Sequence, residues 1–159
     1  MLLFEMILSG VFATLFMDVC AAFLVKLKVI HPFISSKEPG RWFLYMFKCK
    51  FFHENISKTP PLKNEKLWSL ISHYLIGIFL TGFYLYLDVK FPIVKNQTWL
   101  AIIYGMTTVV FPWFWLLPSL NLGFIARKSE KRLQIIKTNM LNHTNFGLGI
   151  FLWMLIFHP

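Results

Sequence analysis

Residues 67–87, LWSLISHYLIGIFLTGFYLYL, form one apolar run with a histidine inside it, closed by Lys66 on one side and by Asp88 and Lys90 on the other. A helix rises about 1.5 Å per residue, so a run of this length crosses the ~30 Å hydrocarbon core of a bilayer. That excludes most soluble folds. An ionisable side chain at membrane depth is costly unless it is partnered, which makes His73 the first candidate for a functional group.

Three more runs of membrane-spanning length stand on either side of it. With 57% hydrophobic and 18% aromatic residues among 159, the chain carries more apolar surface than one water-soluble core of this size can hide. The expectation is an all-α polytopic membrane protein, a single integral domain over 1–159 with four transmembrane helices at 2–25, 67–87, 98–117 and 138–157. The first run lacks a basic start, carries Glu5 and Asp18, and is too long for a signal-peptide core, so it reads as a retained helix. Cys20 lies in an apolar run and Cys49 in a basic loop, which is no disulfide framework, and both are expected to stay reduced.

The net charge of +9 would suggest nucleic acid in a soluble protein, but the basic residues fall between the apolar runs, where they orient helices instead. Nucleic-acid binding is therefore rejected. The two long connections hold fourteen of the sixteen Lys and Arg and the short one holds Lys90 and Lys95, so the positive-inside bias puts both long connections in the cytoplasm and both termini outside. In the first connection, EPGRWFLYMFKCKFFH mixes aromatic bulk with Arg41, Lys48 and Lys50. That composition predicts a short interfacial helix attracted to anionic membrane lipids, with a lid over the helices as the alternative. Pro60 and Pro61 end the segment, and Asn64 is placed to cap the next helix.

Polar residues recur on single faces. Gly10, Thr14, Asp18 and Ala22 share one face of the first helix, and Ser69, His73, Gly77 and Thr81 one face of the second; such small-residue stripes let backbones approach closely. Gly105, Thr108 and Pro112 mark the inward side of the third, with a kink expected at Pro112, whose missing N–H frees a carbonyl. Measured from the cytoplasmic helix ends, Asp18 lies about 10 Å deep, His73 about 9 Å and His143 about 5 to 8 Å. Three titratable groups at one depth are expected to converge on one polar pocket. His31, His53 and His158, in loops or at the chain end, read as solvated, and Glu5 is given no chemistry. The spacing His-x-x-x-Gly occurs at both His73 and His143, but it is too short to establish a duplicated helix pair.

Motifs of soluble enzymes are absent. There is no nucleotide-binding glycine loop, G-x-S-x-G, H-E-x-x-H or C-x-x-C, and too few paired histidines for a di-iron membrane oxygenase, so no metal site is assigned and no cofactor is named.

Several stretches together resemble a known family: GVFATLFMD at Gly10 to Asp18, GRW at Gly40 to Trp42, FHENI at Phe52 to Ile56, Glu65 ahead of HYLIG at His73, FPWF at Phe111 with Pro118 following, and HTNFGLG at His143. In that order they resemble the bacterial inner-membrane family known as domain of unknown function 2938. The resemblance implies a multi-pass membrane protein and no defined activity. It also implies that Arg41, His53 and Glu65 belong to the cytoplasmic face of the site. Cys49, in KCK, departs from the small residue expected there.

Four functions compete on these residues. The first is a small transport or permeation component, in which Asp18, His73 and His143 exchange protons or cations; four helices are thin for a transporter, so a homodimer is expected. The second is a redox module with His73 and His143 on one haem, Gly77 and Gly147 relieving crowding against the macrocycle. A lipid-headgroup enzyme with Arg41 on phosphate and a structural membrane subunit are the others.

Overall fold

The computed structural model describes residues 2–158 and is all-α in its regular elements. Four long apolar segments could cross a membrane, Leu3–Lys26, Glu65–Lys90, Leu100–Ser119 and Arg132–Phe157, so the chain is a multi-pass membrane protein. The elements are α1 (Leu2–Lys26), α2 (Glu38–Met46), α3 (Glu65–Lys90), α4 (Pro92–Lys95), α5 (Leu100–Thr107), a wide π-type turn (Pro112–Leu116), α6 (Leu117–Ser119) and α7 (Arg132–Phe157). The short helix expected in the first connection is α2.

The long helices form a bundle in which α1 packs on α3 and α7, α7 packs on α5, and α2 lies against α3. Small residues set these contacts. A Cβ added at Gly10 would overlap the backbone of Ile78, one at Gly149 the backbone of Ala13, and one at Gly105 the backbone of Gly147. Without a hydrophobic force between helices in lipid, such close approach is what gives them dispersion contact. Tyr104 closes the ring by donating to the Leu80 carbonyl at 2.7 Å. Ala13, Leu80, Tyr84, Ala101, Phe146 and Ile150 fill the interior, while Phe4, Phe23, Phe79 and Leu155 remain exposed on the outer faces. A water-soluble chain could not carry so many exposed aromatic rings; a lipid-facing surface can.

Helix ends depart from the expected ones in explicable ways. Helix α7 starts at Arg132 rather than Thr138, because hydropathy marks only the apolar span while the helix continues as a charged turn beyond it. Asn64 does not cap α3: it takes a left-handed backbone, φ 62°, and makes no capping bond. The Glu65 carboxylate instead folds back on the chain ahead of the helix, accepting the Leu62 N–H at 2.7 Å. The third span is more than kinked at Pro112. Helix α5 ends at Thr107, the Thr108 carbonyl is taken by the Phe111 N–H at 3.1 Å, and the chain widens over Pro112–Leu116. Proline has no N–H to offer that carbonyl, and wide turns of this kind mark helices opened locally.

Candidate functional site

The opening of the third span leaves a cleft of about 420 Å³ between α3 and the Pro112–Leu116 turn with Phe111 before it. Trp42 and Met46 of α2 form one wall, Ile76 and Leu80 of α3 another, and Phe111 and Trp115 the third. Thr14, His73 and His143 are its polar lining. Trp42 meets Trp115 edge to face at 6.5 Å, so an aromatic contact joins α2 to a turn far from it in the chain.

His73 stands where two helices meet. Gly77, one turn on, lets Thr14 of α1 press against the α3 backbone, and that approach brings the two helices within side-chain reach. His73 Nε2 lies 3.0 Å from Asp18 Oδ1, and the Tyr74 hydroxyl donates to Asp18 Oδ2 at 3.2 Å. A carboxylate only accepts, so Nε2 carries a proton, and in the neutral ring Nδ1 keeps its lone pair. The pair is half-exposed at the α1/α3 edge, with side-chain exposures of 41% for His73 and 37% for Asp18.

His143 is held differently. The Thr108 hydroxyl lies 2.6 Å from the Gly105 carbonyl and 2.7 Å from His143 Nδ1. Two oxygens that close need a proton between them, so Thr108 donates to Gly105 and accepts from Nδ1–H. His143 Nε2 is thereby left as an acceptor.

The six residues singled out in the sequence fall into two groups. Asp18 and His73 are bonded, and His73 and His143 line one cleft. Arg41, Glu65 and His53 lie apart from that cleft and join α2 to its loop. Arg41 Nε and Nη2 donate to the Glu65 carboxylate at 2.6 and 3.0 Å, and Nη1 donates to the carbonyls of Ile56 and Thr59, both at 2.9 Å. Hydrogen bonding to Glu65, more than burial opposes, holds the guanidinium above its usual range. Glu38 accepts from the Ser35 N–H at 2.7 Å and from the Ser57 hydroxyl. With Nε, Nη1 and one Nη2 hydrogen committed and its side chain 10% exposed, Arg41 is a tie within the loop and offers no open fork to a phosphate.

His53 is not the solvated histidine its loop position suggests. It is 4% exposed, its Nδ1 is 3.2 Å from Thr59 Oγ1, and its Nε2 is buried with no partner among the described residues. Burial, then the charges of Lys50 and Arg41, push its pKa down. His31 is exposed, and His158 pairs with Glu5 at the far ends of α7 and α1.

The haem reading does not fit. Gly77 is filled by Thr14 and Gly147 by the carbonyls of Ala101 and Ile102, so neither glycine leaves room for a macrocycle, and His73 Nε2 is already engaged by Asp18. Among the described residues no group of three His, Cys, Asp or Glu could hold a metal ion. Three contributors were missed in the sequence: Tyr74, Glu38 and the partner role of Thr108. Tyr74 is adjacent to His73 in the chain, and only the close α1/α3 crossing lets both reach one carboxylate.

Residues 7–157 match the model of a family described as protein of unknown function (DUF2938), and the chain belongs to that family. No curated protein and no solved structure matches it.

Proposed function

We propose that this DUF2938 member is a small transport or permeation component of a bacterial inner membrane, its two basic connections in the cytoplasm, which admits a lipid-soluble molecule to the cleft and exchanges a proton with it through His73 and Asp18. One observation carries the reading: the ring that lines an apolar cleft is also hydrogen-bonded to a carboxylate. An imidazole that donates to a carboxylate from Nε2 can take a proton at Nδ1, and the cation so formed is stabilised by that same carboxylate. The polar pair is half-exposed on the α1/α3 edge, which supports a homodimer covering that face.

The test is proton movement in proteoliposomes made from a total bacterial lipid extract, with a trapped pH-sensitive dye and an imposed pH step. Vesicles holding the protein are expected to dissipate the step faster than empty ones, and Asp18→Asn to return the rate to that of empty vesicles. An unchanged rate in Asp18→Asn removes the proposal.

A further inference from the structure

We infer that the cleft is built for a lipid-soluble phenol, a molecule whose aromatic head donates its one hydroxyl hydrogen to the free imidazole nitrogen of His143, with His73 beside it, and whose apolar tail lies along α3; this rests on the proposed function above. The lining decides the charge of the ligand first. It contains no Lys, Arg, Asp or Glu, so a carboxylate or phosphate head would find no cation and an ammonium head no anion. The head is therefore neutral.

Hydrogen-bond polarity decides the rest. His73 spends its N–H on Asp18, and His143 spends its own on Thr108, whose hydroxyl proton is spent in turn on Gly105. Each ring keeps one nitrogen that makes no hydrogen bond among the described residues, and in the neutral ring that nitrogen is an acceptor. A ketone, ester or ether would set lone pair against lone pair, whereas a hydroxyl supplies the missing proton. Aromatic walls select among hydroxyl compounds: Trp42, Phe43, Phe79, Phe111 and Trp115 surround the imidazoles, and flat rings stack on such surfaces at small entropic cost.

Size and access agree. A volume of about 420 Å³ holds a substituted ring with a short chain, and a second apolar recess shares Phe79, Leu80 and Phe111 with the first and runs on to Phe83 and Tyr104. Phe79, Phe111 and Trp115 are exposed on the outer face, so the route in is sideways from the lipid between α3 and the Pro112–Leu116 turn.

Three tritiated probes with one tail separate the outcomes: para-octylphenol, its methyl ether, and octylbenzene, each measured by scintillation proximity on the full chain in lipid nanodiscs. The phenol is expected to bind about tenfold or more tighter than the ether, the difference that one hydrogen bond of about 1.4 kcal/mol makes. In His143→Phe, which keeps a ring and removes the acceptor, that preference is expected to fall at least severalfold. Equal binding of phenol and ether to the unaltered protein overturns this inference and leaves the cleft as a site for apolar molecules. Retention of none of the three overturns the inference together with the proposed function. The comparison of ligands on the unaltered chain decides the matter even where His143→Phe fails to fold.

Discussion

The guanidinium of Arg41 meets the carboxylate of Glu65 in a two-point contact, 2.6 Å at Nε and 3.0 Å at Nη2, and thereby fixes α2 to the first turn of α3. Because Arg41 also holds the carbonyls of Ile56 and Thr59, one side chain orders both α2 and the loop that follows. Removing one partner leaves the other charge buried without compensation, which costs about 3 kcal/mol. Glu65→Gln is therefore expected to lower the thermal midpoint in detergent and, by loosening the backbone around the already exposed Lys48, Lys50 and Lys58, to speed trypsin cleavage there. A loop that stays protected would show that Gly40, seated on the α3 backbone, is sufficient to hold α2.

His53 gives the same loop a pH dependence. Its pKa is lowered in the fold, so the folded state binds the ring in its neutral form more favourably than the unfolded chain does. The contribution is complete above the unfolded value of about 6.5 and is lost as pH falls through the lowered one. Hydrogen exchange of residues 50–60 is expected to speed up as pH falls below about 6.5, and His53→Gln to flatten that dependence. Equal pH dependence in the variant would assign the effect to another group.

The bundle was legible in the sequence and the site only in part, for a physical reason that shows in particular residues. Span length and hydropathy are properties of a segment alone, so the four helices and α2 follow from the chain directly. The Asp18 and His73 stripes were equally visible, since four-residue spacing places residues on one face of any helix. Which helices become neighbours is not written in any one segment. Thr108 as the holder of His143, the burial of His53 under Thr59, and Arg41 as a loop tie all depend on that pairing. The widened turn after Thr107 belongs with them: Pro112 announces a break, while how far the widening runs, over Pro112–Leu116, is not written in the segment alone.

Gly105 and Gly147 touch across α5 and α7, and a Cβ on the first would overlap the backbone of the second. Overpacking a tight contact costs about 1–3 kcal/mol, and here the obstacle is backbone that has no rotamer to yield. Gly105→Val is expected to reduce the yield of monodisperse protein and lower its thermal midpoint. Because Thr108 donates to the Gly105 carbonyl, displacement of α5 should also weaken the hold on His143. A Gly105→Val protein with unaltered midpoint would mean that α5 and α7 lie farther apart than this packing has them.

Pro112 is the residue through which stability and the cleft oppose each other. Its missing N–H leaves the Thr108 carbonyl to Phe111, and the widened turn that follows carries Trp115 and Leu116 into the cleft lining beside Phe111. Pro112→Ala restores a donor where the helix could close, so the third span should straighten and draw that wall toward α3. A restored backbone hydrogen bond contributes about 1 kcal/mol, and the thermal midpoint is expected to rise by a few degrees. Retention of para-octylphenol should fall at the same time, because the volume between α3 and the turn is what the opening supplies. A stabler protein that binds the probe as before would show that the turn is held open by its aromatic contacts, Trp42 against Trp115 foremost, and not by the proline.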